Sequence, residues 1–552
     1  LAATPAGCWG SPDDQIAVSA GTGGGLVTDT FDVVVAGAGH NSLVAAAYLA
    51  RAGLSCVVLE ARSDIGGDTS SEELTLPGFR HDTCSTAHNL IQSSPILADD
   101  ELGLAEFGLE YLHPDPVVHL PFADGSWLTM WRDAERTCAE FARFSRRDAD
   151  AYRRMMTEYR QVAGDLGRAR YTPIGFGELP GAVLARQSGG SRWLRRNAMS
   201  AWEIIAGEFS DEHTRAFMLW MSFMTMQPPE RSGTGLLAYS LAYGRQQHSW
   251  TLPRGGSAAL PRALARVIES RGGVILTGTR VAALVLDGGR CAGVETEAGE
   301  RYLASCAVLS TIHIKQLIDM APAQLWGEDL RYAVATWQPG ISMFVSHYAT
   351  TCAPAYPVQT GVVAPVASGT PQSAERMLRL ATDFRAGRIA TDDPVLLVLC
   401  PTVADPSRAP DGAHTLKVVG FQPYELPGGP EHWDELKADV SAANLVELRR
   451  YAPNLTADAI LASAVKSPLD LERMNEHNWH GSCHGGDAGP AQSGELRPAA
   501  GWASHRMPIA GLYQTGATTY PGGSVSGAPG RNAAAVMLAD LGSSLAAAVS
   551  GR

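Results

Sequence analysis

The sequence predicts an α/β fold, in which a parallel sheet domain wound with helices is interrupted by a second, discontinuous α+β domain. Three observations carry this. Near the start, 31–36 (Phe-Asp-Val-Val-Val-Ala) is a short apolar strand running into Gly37-Ala38-Gly39-His40-Asn41-Ser42, an alanine-rich helix and a second apolar strand, Cys56-Val57-Val58-Leu59. A largely helical stretch, 132–243, separates this opening from the later strands. Beyond it, strand signals return, and the chain closes on a strand, a glycine-rich loop and a helix.

Taken in order, residues 1–26 are rich in Gly, Ala, Ser and Thr and lack the basic and apolar regions of a signal peptide, so they read as a flexible extension or a misplaced start. The next unit is a Rossmann-like dinucleotide-binding βαβ. Gly37 and Gly39 permit a tight turn and close approach of the backbone to a pyrophosphate, and the helix N-terminus beginning at His40, Asn41 and Ser42 offers free N–H groups. Ser42 stands where the fingerprint has its third glycine. Glu60, 23 residues beyond Gly37, closes the second strand and can accept both hydroxyls of an adenosine ribose. A carboxylate there repels a 2′-phosphate, which disfavours NADP and leaves FAD or NAD. The chain then continues through Ala61 and Arg62 to a second glycine pair, Gly66-Gly67, and Asp68 in place of a third strand. Adjacent glycines signal tight backbone approach or positive φ.

An irregular stretch to about 131 leads into the helical region, which is broken by Pro and Gly at 173–181. From Leu252 the character changes. Pro253-Arg254-Gly255-Gly256-Ser257 opens a helix at 258–271, followed by strands at 274–276 and 281–286 and a hairpin with turns at Asp287-Gly288-Gly289 and Ala298-Gly299-Glu300. Here the chain returns to the nucleotide domain. Near the end, 511–517 is a strand finishing in glycine, 521–527 a glycine loop and 532–541 a helix. The expected organisation is a nucleotide domain from 27–100, 251–325 and 498–552, and a partly helical substrate domain from 101–250 and 326–497.

Composition narrows the function. A net charge of −13 and a pI near 5.6 argue against nucleic acid as a partner and give no general attraction to anionic lipid. Arg143, Arg146, Arg147, Arg153 and Arg154 share a helix with Asp148 and Asp150, the pattern of a salt-bridged solvated face; a peripheral membrane contact through them stays open. Nine cysteines without a C-x-x-C pair indicate neither a disulfide framework nor structural zinc, and a reducing, cytoplasmic setting fits best. No apolar run approaches the roughly 18 residues of a membrane span.

These motifs together, 37–53, Glu60 to Gly67, 252–260 and 511–534, resemble the phytoene desaturase-like branch of the FAD-dependent amine oxidase superfamily, nearest to the carotenoid-ketolase-type and pyridine nucleotide-disulphide oxidoreductase domain protein 2 family. The likeness extends over nearly the whole chain from about Asp32. It implies an FAD-binding flavoprotein of the GR2 type, with Gly66-Gly67 beside the flavin-side phosphate, the Val281 backbone at the adenine, and Gly516 and Ala517 along the diphosphate and ribityl chain. Many relatives carry an acidic residue where Ala517 stands, which puts that contact in doubt. The loop with Gly523, Ser524, Val525 and Ser526 would aim a helix N-terminus at the pyrimidine edge of the flavin.

The chemistry expected is dehydrogenation of a hydrophobic small molecule, isoprenoid or aromatic, by hydride transfer to flavin, with oxygen, a quinone or another acceptor completing the cycle. Ketone formation, amine oxidation and double-bond reduction are alternatives. A flavin-free lipid carrier of the GDP dissociation inhibitor type is the alternative outside enzymes. His484 and His480, in the polar loop 475–487, are candidate proton acceptors, and no metal site is expected there. The apolar run 217–226 is core packing or the wall of a lipophilic tunnel; Tyr520, Trp337 and Phe344 are further candidate pocket walls.

Overall fold

The computed structural model describes residues 27–359 and 361–550. The leader at 1–26, expected as a flexible extension, lies outside the described residues.

Val33, Val34 and Val35 are fully buried, as are Cys56, Val57 and Val58. Continuous apolar strands of this kind suit a parallel sheet covered on both faces. Val27–Ala36 pairs in parallel with Cys56–Leu59 on one side and with Arg301–Ser310 on the other. The sheet runs Val281–Asp287, Arg290–Thr296, Arg301–Ser310, Val27–Ala36, Cys56–Leu59, Val274–Leu276, with Leu512–Gln514 also pairing Arg301–Ser310. Three distant stretches of chain therefore build it. The first helix, His40–Arg51, is buried from Asn41 to Ala50 and packs between Ala259–Glu269 and Ala528–Asp540. Gly530 permits the second contact, since a Cβ there would lie 2.0 Å from the Asn41 carbonyl oxygen. The helix Ala528–Asp540 starts earlier than the alanine run suggests, because Gly527 in the left-handed conformation caps it and Pro529 occupies its first turn.

A second sheet runs Ile460–Lys466, Ser342–Thr350, His414–Gln422, Leu396–Leu399, Ala367–Thr370, Val118–Pro121, Trp127–Met130. Its last two strands form a hairpin inside a stretch read from sequence as irregular. Val118–Pro121 is buried at all four positions, so it lacks the alternation that marks a half-exposed strand. Helices Arg146–Arg170, Glu212–Phe223 and Leu237–His248 pack with this sheet into the largest core. Arg153 pairs with Glu135 and Asp150, and Arg154 with Glu208, on the solvated face of the long helix. Of the apolar run, Phe217 to Phe223 is core, with Trp220 donating its indole N–H to the Leu396 carbonyl. Among the described residues no helix is long and apolar enough to cross a membrane.

Candidate active site

One cavity of about 1050 Å³ is lined by both sheets, by Leu59 and Val281 from the first and by Met343, Leu397, Leu399 and Val419 from the second. Its first half is the glycine cradle. Gly37 has φ +96°, and a Cβ there would sit 2.4 Å from Thr311 Cγ2. Gly39 lines the cavity with open space where a side chain would stand. The second glycine pair closes on the first: the Gly66 N–H donates to Ala38 O at 2.8 Å, and a Cβ on Gly67 would reach Gly39 Cα at 3.6 Å. Glu60, 8 % exposed, accepts from the Ala38 N–H at 2.8 Å and the Arg62 N–H at 2.9 Å, so its carboxylate braces both loops. Asp68 accepts from Asn475 and Asn478, both at 2.9 Å, tying the cradle to the late polar loop.

Ala61, Arg62, His40 and Asn41 also line the cavity. Arg62 pairs with Glu72. Burial pushes the His40 imidazole down to about 4, and its Nε2 lies 3.3 Å from the Ser524 carbonyl. Ser42 does not line the cavity; its hydroxyl donates back to the Gly37 and Gly39 carbonyls at 2.6 and 2.9 Å, bracing the turn that a third glycine would otherwise only permit.

The terminal motif forms the facing wall. Gly516, Ala517, Gly523, Ser524 and Val525 line the cavity, whereas Ser526 lies outside it, where its Oγ accepts from the Ala528 N–H and its carbonyl from Tyr171. Gly523 is forced by His484: a Cβ on it would lie 2.6 Å from the His484 carbonyl oxygen. Arg497, buried and pulled down to about 10 by that burial, clamps the two segments by donating to the carbonyls of Ala517, Asp487, Gln492 and His484. His484 lines the cavity, and burial pushes its imidazole down to about 4, so it is neutral near neutral pH.

Four proton-transfer or wall candidates are elsewhere. His480 stacks on Tyr424 at 4.6 Å and faces Glu425 at 3.4 Å, outside the cavity lining, because its positive φ (+52°) turns the loop there. Tyr520 is buried and donates to the Ala169 carbonyl at 2.9 Å, anchoring the terminal loop to the long helix. Trp337 donates to the Gly485 carbonyl and Phe344 packs on Trp433; neither lines the cavity. Of the Met-rich run, Met224, Thr225 and Met226 do.

Several cations that the sequence reading passed over also line it, Arg168, Arg170, Arg280 and Arg473 among them, and two of the others are buried. Lys417 is buried, with its ammonium donating to the Cys84 carbonyl, and burial lowers its pKa. Its signal was a lone charge in the apolar run Thr415-Leu416-Lys417-Val418-Val419. Arg245, from the helix Leu237–His248, is the other.

Residues 35–99 match an NAD(P)-binding Rossmann-like domain, and residues 192–538 match the flavin containing amine oxidoreductases. The chain belongs to the flavin-containing amine oxidoreductase family. It is 28 % identical to the mouse (Mus musculus) pyridine nucleotide-disulfide oxidoreductase domain-containing protein 2, over 94 % of this chain and 95 % of that one. A phytoene dehydrogenase of Streptomyces griseus is 30 % identical over 79 % and 82 %. A limonene dehydrogenase polypeptide of Castellaniella defragrans is 26 % identical over 93 % and 95 %. Among solved structures, a putrescine oxidase triple mutant superposes with a TM-score of 0.59 at 15 % identity, covering 92 % of this chain and 97 % of that one, a likeness of fold.

The protein is an FAD-dependent oxidoreductase, and the residues present fit that cofactor. The cradle at Gly39 has room for a diphosphate, and Gly37, Gly66 and Gly67 bring backbone without side chains to the same part of the cavity. Gly37, Gly39, Asn41, Gly66 and Gly67 would hold the diphosphate side, Glu60 the adenosine ribose, and Gly516 to Val525 the flavin side. This also removes the flavin-free carrier alternative.

Proposed function

We propose that this enzyme dehydrogenates an apolar small molecule, isoprenoid or aromatic, held in the second half of the cavity. The observation that carries the reading is the continuity of the cavity from the glycine cradle to a wall of Met224, Met226, Leu237, Leu241, Tyr243 and Met343. Its volume of about 1050 Å³ lies at the upper end of the about 300–1,000 Å³ of ligand pockets. The relatives named for dehydrogenation of phytoene and of limonene support an apolar substrate.

Bound in the cradle, FAD supplies a two-electron hydride acceptor. The chain's own work is to hold a C–H bond against it, exclude water and take the proton from the neighbouring carbon as the double bond forms. His484 is our candidate for that proton, since it lines the cavity; the burial that keeps it neutral also makes it a weaker base than a free imidazole. Only one dinucleotide fingerprint is present in the sequence, so re-oxidation is assigned to oxygen, a quinone or another acceptor rather than to a second nicotinamide site.

The test is anaerobic mixing of the FAD-loaded enzyme with a panel of isoprenoid and aromatic hydrocarbons, alcohols and amines, followed by the flavin absorbance. Bleaching by apolar compounds, with the desaturated product found by mass, supports the reading; bleaching by amines alone overturns it. With a bleaching substrate in hand, His484→Gln should slow bleaching about 10²–10⁴-fold, the usual contribution of a positioned acid or base. An unchanged rate removes His484 from proton transfer.

A further inference from the structure

The substrate half of the cavity contains a charge that its apolar walls do not account for. The helix Leu237–His248 runs along it, with Leu237, Leu241, Tyr243 and Arg245 among its lining residues. Arg245 is only 8 % exposed. Its guanidinium stands 3.8 Å over the Trp250 ring, an arrangement that covers one face of the group and leaves its in-plane N–H donors unused. Nε and Nη1 reach no acceptor among the described residues.

The other buried arginines have their charge met: Arg497 donates to four backbone carbonyls, and Arg408, whose Nε and Nη1 also reach no acceptor among the described residues, pairs with Asp82. Among the described residues no carboxylate pairs with Arg245, and burial lowers its pKa to about 9, which still leaves it charged near neutral pH. A buried cation with open donors is costly unless a partner arrives. Position identifies the partner's origin. Trp250 lies against Trp220 at 6.1 Å, and Trp220 is hydrogen-bonded to Leu396 of the second sheet, so Arg245 belongs to the second-sheet side of the cavity rather than to the glycine cradle.

We propose that the substrate is an amphiphile with an anionic oxygen group, carboxylate or phosphate, at the end of an otherwise apolar body, and that Arg245 receives this group. The planar guanidinium fork matches either anion with two parallel hydrogen bonds. Arg245 thus anchors one end of the substrate at the second sheet and directs the apolar body toward the cofactor. This rests on the assignment of that half of the cavity to an apolar substrate.

The experiment titrates the FAD-loaded enzyme with dodecanoate, dodecyl phosphate and dodecanol below their aggregation limits, following flavin absorbance and tryptophan fluorescence. At least one anion should bind about tenfold or more tightly than the alcohol, the range of a charge-assisted bidentate contact. Arg245→Gln and Arg245→Met should abolish that preference while leaving dodecanol binding within about twofold and FAD bound; Arg245→Lys should restore part of it. Anions that bind wild-type enzyme no better than dodecanol overturn the proposal while leaving the apolar site standing. So does a preference that survives both substitutions. If none of the three probes binds, the assignment of an apolar substrate fails, and the anion site with it. The wild-type comparison decides alone if a variant does not fold.

Discussion

Glu60 does two things at once, and replacing it with Ala separates them. In the protein its carboxylate accepts the Ala38 N–H at 2.8 Å in a buried setting and the Arg62 N–H at 2.9 Å in a partly buried one. A hydrogen bond to a charged acceptor contributes about 1.5–3 kcal/mol, and an orphaned buried donor adds a similar desolvation cost. The Arg62 end is only partly buried, so the Ala38 end dominates and the two terms together give an expected loss of about 3–6 kcal/mol of stability even without cofactor. The same carboxylate is the proposed acceptor for the ribose hydroxyls, so FAD affinity should fall by a further factor of about 10–100, at 1.4 kcal/mol per decade. The assay is thermal or urea unfolding of cofactor-free protein, followed by FAD titration monitored by flavin fluorescence. Glu60→Gln keeps one acceptor and should fall between wild type and Ala. Cofactor-free Glu60→Ala protein as stable as wild type would refute the bracing role; unchanged FAD affinity would refute the ribose contact.

Other expectations rest on single contacts. Gly523→Ala places a Cβ 2.6 Å from the His484 carbonyl, a backbone atom that cannot swing aside, and should cost most of the FAD retained on purification; a full complement of FAD would mean the two segments move freely. Arg408→Ala leaves Asp82 charged and buried, both side chains being 1 % exposed, and should destabilise by about 3–5 kcal/mol in urea unfolding; a shift within error would mean that Asp82 is stabilised without Arg408. Burial holds the imidazoles of His40, His484 and His505 down to about 4, so they stay unprotonated where the unfolded chain, titrating near 6.5, takes up protons. Their contribution is therefore complete above about 6.5 and lost as pH falls toward 4, and the melting temperature should drop steadily between pH 7 and 5; a flat profile over that range would contradict it.

The nucleotide half was legible because its signals are local. A buried strand, Gly37 and Gly39, a helix and Glu60 fall within one short stretch, and each residue type is demanded by a backbone or hydrogen-bonding need that sequence spacing expresses. The terminal loop was legible for the same reason, although its helix starts earlier than expected because the cap lies in Gly527 and Pro529 rather than in the alanine run. Ser42 shows a local substitution whose effect spacing could not express: its hydroxyl bonds the loop it interrupts. The hairpin ending at Met130 was hidden because strands buried on both faces carry no alternation.

The histidine-rich loop shows where sequence reasoning stops. His480 and His484 are equivalent in a string of letters, yet a positive φ at His480 sends its ring to Tyr424 while His484 reaches the cavity beside Gly523. Short-range pattern determined the fold class and the glycine cradle and narrowed the cofactor to FAD or NAD, since these depend on contacts between near neighbours; the choice of FAD came from the family resemblance. Which side chains share the substrate half of the cavity was decided by the tertiary structure alone. Arg245, Lys417 and His484 come from separate elements, and the charge state of each depends on burial by residues far away in the chain.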